Sequence, residues 1–431
     1  MLRTLSAHRR RESWNTVLSG IRGLSTGPAD DEKPQPPVVV REMGSVGLAI
    51  LNRPAQMNAL NKEMCDILIP KLKEWDSSNS PLMAVVMKGA GGKSFSAGGD
   101  VKEQALLLKS GHPERIQEFF SANYKCDYII SKMTKPFVSL MDGVTCGGGA
   151  GITMHGTFRV ATEKTMWGMP EVRIGYFPDS GASHYMNNFP SGRALGILYA
   201  LRGAPLQNQQ VRDAGVATHY IRSKRLSDVG KGFEKLTLNH GSEDPITDAE
   251  NEVELCLGEI EVNDHWKDAK QDVPDGIFPI LKGFAEQYLS RDFECLEEYL
   301  DHLEQIKAEG GVLVEGFHGF NLEFSKAITH AFVSKALEDM AISSPISLKL
   351  TFELMKRAKE KPLRDCIKME YRVTKNFGTM PNDFYEGVRA KLIDKDESPK
   401  WKYPSVAKVP DSLIREFFHG DRKDDINLDF L

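Results

Sequence analysis

Between residues 38 and 161, short apolar runs of β character alternate with amphipathic stretches, and glycines close several of the runs. The β-type runs are 38–41, 46–51, 83–88, 137–141 and 158–161, and the helix-period stretches are 62–75 and 113–133. Strands joined through helices bury both faces of a sheet, so this alternation predicts an α/β body with active groups at the turns that end its strands. From about Ser180 the pattern becomes mostly helical, with amphipathic runs at 296–308, 323–341, 346–357 and 363–375 and no repeat of fixed period. The acidic, apolar-poor stretch 243–264 reads as a solvated loop or surface face. The expected division is a leader and linker over 1–36, an α/β domain carrying the site over 37–240, and an all-helical C-terminal lobe over 241–431.

The leader has its own chemistry. Arg3, Arg9, Arg10, Arg11 and Arg22 stand among Ser, Leu and Thr, and Glu12 is the only acid before Asp30. That composition is that of a mitochondrial presequence, with a disordered basic tail as the plainer alternative; the apolar core of a secretory signal is missing. A net charge of -5 argues against nucleic acid as the partner of the whole surface. No apolar run reaches the length of a membrane-spanning helix. The six cysteines are scattered singly, which suits a reducing compartment and offers no metal-ligand spacing.

Three motifs bear on chemistry. The run Gly89-Ala90-Gly91-Gly92-Lys93-Ser94 is not a phosphate-binding P-loop, because the position that must be glycine is Met87. Two glycine sites, Ser96-Ala97-Gly98-Gly99-Asp100 and Cys146-Gly147-Gly148-Gly149-Ala150-Gly151, each follow a strand candidate and precede a helical segment. One backbone N–H from each could hold the oxygen of a polarised carbonyl; the plainer reading is two tight turns. The third motif runs from Met169 to Gly181 and carries Glu171 and Asp179, with Gly175 and Pro178 between them. A fold-back there would bring both carboxylates to one cavity, a constellation for acyl chemistry. The alternative makes Glu171 an acid of a helix start and Asp179 the N-cap of a helix beginning near Ser180.

These motifs, in order, resemble the crotonase (enoyl-CoA hydratase/isomerase) superfamily: Leu51-Asn52-Arg53-Pro54 with Asn58-Ala59-Leu60, then Phe95 to Asp100, then Gly143 with Gly147-Gly148-Gly149, then Pro170-Glu171 with Gly175. The resemblance implies a spiral ββα body, an acyl-CoA thioester as ligand, and an oxyanion hole made by the N–H groups of Gly99 and Gly148. Further runs are similar to the 3-hydroxyisobutyryl-CoA hydrolase branch: Phe177-Pro178-Asp179, Phe158 to Lys164, Gly215 to His219, Met369-Glu370-Tyr371-Arg372, and Glu386 to Trp401. Membership would imply thioester hydrolysis in valine catabolism in the mitochondrial matrix, with no cofactor beyond the CoA of the substrate. Glu171 would attack the carbonyl or activate a water, and Asp179 would bind the 3-hydroxyl and help protonate the leaving thiolate.

A chemical check points the same way. Hydratases of this superfamily use a second glutamate just past the glycine cluster, where this chain has Ala150-Gly151; adding water across a double bond then lacks its proton partner. Two positions depart from the hydrolase pattern. Asn123 stands where a substrate-contacting glutamate is usual, and an amide can hydrogen-bond a hydroxyl but cannot act as a base. His184 stands where an aromatic residue is usual and reads as a histidine packed on a helix face. Two other readings stay open at this level: a hydrolase of a neighbouring substrate such as 3-hydroxypropionyl-CoA, and a structural subunit of the mitochondrial ribosome, which relatives resemble. The enlarged helical lobe would cover the surface on which superfamily members form trimers and hexamers, which leans toward a monomer or dimer.

Overall fold

The computed structural model describes residues 35–236, 244–262, 277–315, 322–420 and 425–429; the leader expected over 1–36 lies outside them up to residue 34. In chain order the strands are β1 (Val38–Met43), β2 (Val46–Leu51), β3 (Ala84–Gly89), β4 (Ser94–Ser96), β5 (Phe137–Met141), β6 (Val144–Cys146), β7 (Phe158–Ala161), β8 (Met166–Gly168), β9 (Leu206–Gln207) and β10 (His219–Tyr220). Strands β1-β2-β3-β5-β7-β10 form one sheet, antiparallel at β1/β2 and parallel elsewhere. Strands β4-β6-β8-β9 form a second, smaller sheet, parallel except at β8/β9.

The large sheet is buried on both faces, as the unbroken burial of β2 shows. Ala49, Leu51, Val85 and Met87 face α1 (Lys62–Asp76) and α3 (Pro113–Ile130), the helices before and after α2 (Val101–Lys109). Their period-2 neighbours Leu48, Ile50, Val86 and Val138 pack on the opposite side with Val229, Phe233, Val253 and Leu257. Local chemistry sets the helix starts: the Asn61 side chain accepts from the Met64 N–H at 3.1 Å, and Asp100 caps α2 by accepting from the Glu103 N–H.

The stretch expected to be a solvated loop or surface face is a helix over Pro245–Val262. Ala249, Val253, Leu257 and Ile260 are buried on one face, while Glu252, Glu254 and Glu259 are exposed. Apolar residues at three- and four-residue spacing suffice to bury a helix that is acidic on average. The second sheet was not anticipated, because strands of two or three residues carry no period.

Helices on both sides of residue 240 share cores. Further along the chain, α4 (Gly148–His155), α5 (Ala182–Asn187), α6 (Pro345–Ala358) and α7 (Leu363–Phe377) converge on the loop that follows β8. Leu350, Leu354, Ile367 and Phe377 belong to one cluster with Leu60, Phe120, Tyr124 and Phe177. Tyr176 is its joint. Its ring lies 5.5 Å from that of Phe120, 4.8 Å from Phe377 and 5.1 Å from Phe384, so it ties α3 to the C-terminal helices.

The acidic helix gives a direct check. Leu257→Ala removes a fully buried side chain and is expected to cost about 2–5 kcal/mol. Leu255→Ala, on the exposed face, should change stability by less than about 0.5 kcal/mol. Thermal unfolding of the two variants beside the parent chain measures both.

Candidate active site

The two glycine sites meet. The Leu60 N–H donates to the Gly98 carbonyl at 2.7 Å and the Asp100 N–H to the Leu60 carbonyl at 2.8 Å, fixing the peptides that flank Gly99. On the other side Gly147, at φ +54°, opens α4 and donates its N–H to the Gly168 carbonyl. Gly148 is the first residue of that helix, where an N–H has no intrahelical acceptor. Among the described residues, neither the Gly99 nor the Gly148 N–H has a hydrogen-bond acceptor. A Cβ on Gly98 would stand 3.3 Å from the Gly148 nitrogen, so the two segments lie side by side.

Glu171 begins the 3-10 turn Glu171–Ile174 after β8 and is buried. It crowds the start of α4: a Cβ on Gly147 would be 2.8 Å from its Oε1, a space only glycine leaves open. Its Oε2 is buried with no hydrogen-bond partner. Burial first, and then the charge of Asp179, push the Glu171 carboxyl well above the usual range, against a backbone hydrogen bond that lowers it. Asp179 is buried as well, and its Oδ2 accepts from the Tyr124 hydroxyl at 2.7 Å. Burial pushes it up to about 7 in spite of that bond. It is not an N-cap: α5 starts at Ala182 behind Gly181, with no side-chain cap.

Asn123, on α3, is buried with its amide against Gly148; a Cβ there would lie 3.5 Å from Nδ2 and 3.6 Å from Oδ1. All five residues singled out from the sequence, Gly99, Asn123, Gly148, Glu171 and Asp179, therefore belong to one neighbourhood. His184 sits half-buried on α5, and burial lowers its pKa.

Two acids in this neighbourhood had not been singled out. Glu370, on α7, accepts from the Gly181 N–H at 2.7 Å, the Ser183 N–H at 2.9 Å and the Ser183 hydroxyl at 2.6 Å, and so anchors the chain just past Asp179. Burial pushes it up to about 8 against those donors. Asp127, one turn beyond Asn123, is driven well above the carboxylate range by burial first and then by Asp179. The signal for Asp127 was available, since residues four apart share a helix face. Glu370 had only its place within the 369–372 run.

The space past the glycine cluster is filled. A Cβ on Gly151 would stand 2.5 Å from the Cβ of Ser180, and Ala150 is fully buried in a hydrophobic cluster. An acid at 151 would have to displace Ser180, and one at 150 would have to enter that hydrophobic cluster. Among the described residues no group of His, Cys, Asp and Glu is arranged to hold a metal ion, and no helix is long and apolar enough to cross a membrane.

Comparison with known proteins bears on this geometry. The family model for enoyl-CoA hydratase/isomerase matches residues 46–418. The chain is 33% identical over 426 residues to a protein of Gallus gallus named 3-hydroxyisobutyryl-CoA hydrolase, mitochondrial, covering 99% of each. It is 35% identical over 383 residues to the Arabidopsis thaliana 3-hydroxyisobutyryl-CoA hydrolase-like protein 1, mitochondrial, covering 88% of this chain and 86% of that one. Among solved structures, a carnitinyl-CoA dehydratase from Mycobacterium thermoresistibile superposes with a TM-score of 0.72 at 26% identity, over 92% of this chain and all of the other.

Glu370→Ala strips the acceptors from three buried donors and is expected to cost at least about 2 kcal/mol. Glu370→Gln keeps one acceptor oxygen and should lose less. The melting temperatures of the two variants rank them.

Proposed function

Because the chain belongs to the enoyl-CoA hydratase/isomerase family, we propose that it hydrolyses the thioester of 3-hydroxyisobutyryl-CoA to 3-hydroxyisobutyrate and CoA, a step of valine catabolism. The observation that carries this reading is the pairing of two free backbone N–H groups, at Gly99 and Gly148, with the buried and unpartnered Oε2 of Glu171. The filled space at Gly151 favours hydrolysis over hydration, since it leaves no site for a second acid on α4.

In this mechanism the thioester oxygen accepts from the Gly99 and Gly148 N–H groups, at a helix start that favours negative charge. Glu171 in its ionised form either attacks the carbonyl carbon, giving an acyl-enzyme anhydride that water then opens, or takes a proton from a water that attacks instead. The carbon–sulfur bond breaks, and the departing thiolate takes a proton from Asp179, whose pKa near 7 leaves it protonated part of the time at neutral pH. The 3-hydroxyl lies between Asp179 and Asn123. An open concavity of about 530 Å³ lined by Glu103, Leu106, Leu107, Lys109, Ser110 and Arg115 lies on α2, which starts two residues after Gly99, and the CoA arm is assigned to this side of the site. CoA enters as part of the substrate, and no separate cofactor is used. The protein is mitochondrial, and the Arg-rich, acid-poor leader supports placing the reaction in the matrix.

The test is thiol release from 3-hydroxyisobutyryl-CoA by the purified chain. Turnover is expected, with Glu171→Gln lowering kcat by about 10²–10⁴-fold. Absence of release from this thioester would overturn the reading.

The pH profile supplies a further check. Glu171 must be ionised to act, and its pKa is raised, so kcat/KM should climb with pH through an inflection well above the ~4.3 of an ordinary glutamate. The Asp179 charge contributes to that rise, so the inflection should move to lower pH in Asp179→Asn, measured on whatever rate remains.

A further inference from the structure

Asn123 is buried in the site, and every hydrogen-bonding atom of its amide can be followed. Its Nδ2 donates to Asp127 Oδ2 at 3.2 Å and to Ser180 Oγ at 3.0 Å, which uses both hydrogens of the amide. Asp127 Oδ2 and Ser180 Oγ are thus the two acceptors of one amide. All three residues are buried, and Ser180 is held at φ +58°, a left-handed conformation that a non-glycine residue adopts at a cost. What remains is Asn123 Oδ1, buried, without a partner and lying against Gly148.

We infer that Asp127 is a positioning residue for substrate selection: it fixes the Asn123 amide so that Oδ1, and not Nδ2, meets the substrate's 3-hydroxyl. The inference rests on the hydrolase reading and extends it. The logic is that of donors and acceptors. Turning the amide over would set Oδ1 against the Asp127 oxygen, acceptor on acceptor, and would leave Ser180 without its donor. Ionised, both oxygens of the Asp127 carboxyl only accept; protonated, the bond from Nδ2 to Oδ2 puts its hydrogen on Oδ1, and Oδ2 still accepts. A free acceptor beside the carbonyl site suits a ligand that brings a hydroxyl hydrogen, and an acyl group lacking the hydroxyl leaves that acceptor buried and unpaired.

The experiment compares 3-hydroxyisobutyryl-CoA with isobutyryl-CoA, which lacks the hydroxyl, on the full chain. Asp127→Asn can donate to Asn123 Oδ1 and so permits the amide to turn over. The expected result is a fall in kcat/KM of about 10–100-fold on the hydroxylated thioester, carried mainly by KM, and a several-fold smaller fall on the other. The exchanged pair Asn123→Asp/Asp127→Asn restores an acceptor facing the substrate and should recover most of the preference. Equal losses on both thioesters in Asp127→Asn, or no recovery in the exchanged pair, would overturn the inference while leaving the hydrolase reading standing. Native chain that turns over neither thioester would sink both.

Discussion

Four carboxyl side chains, those of Glu171, Asp179, Asp127 and Glu370, are buried within one another's electrostatic reach, and the rest of the site is arranged around that constraint. Two unit charges 4–6 Å apart in an environment of effective dielectric 20 repel by about 3–4 kcal/mol. Burial first, and then repulsion among the charges, raises the carboxyl pKa values of the group, and the supporting hydrogen bonds divide the labour. Glu370 is tied down by three donors, and Asp179 by one phenol that is itself hydrogen-bonded to Thr374. Asp127 has one donor, the Asn123 amide, on Oδ2, and none on Oδ1. Glu171 keeps an oxygen with no partner. The carboxyl with the least support is the one placed beside the two free N–H groups.

The glycine cluster makes this crowding possible. Helix α4 could not approach Glu171 at Gly147 or the Ser180 turn at Gly151 if either residue carried a side chain. Its start is consequently bare backbone, with Glu171 on one flank and Asn123 on the other. The same close packing removes the room for a second acid on α4, so one geometric fact supports both the polarised carbonyl and the absence of hydration chemistry.

Much of this was readable before any coordinates. The strands of the large sheet are five or six residues, mostly apolar and bounded by turns, except for the shorter β7 and β10, and the helices of the C-terminal half announce themselves by period. Gly99, Gly148, Glu171 and Asp179 stand in local motifs, so their convergence could be expected from the turns between them. The second sheet could not be read, since two or three residues give no alternation to detect. The helix Pro245–Val262 was hidden because its acids outweigh four well-spaced apolar positions in any average. Asp127 could have been found, since it lies one helical turn from Asn123 on the same face. Glu370 could not, because the donors it holds lie in a distant segment that its local sequence does not specify.

The sequence distances spanned by the supports have a consequence for synthesis. Glu370 lies 189 residues beyond the Gly181 N–H it holds, and Thr374 lies 250 beyond Tyr124. A nascent chain emerges from its N-terminus, so the strands, the glycine helix and all the acids but Glu370 are made long before the residues that steady them. The reactive centre can take its final form only when nearly the whole polypeptide has been released. An interrupted chain would carry the acids without the clamp, leaving the donors of Gly181 and Ser183 without their acceptor.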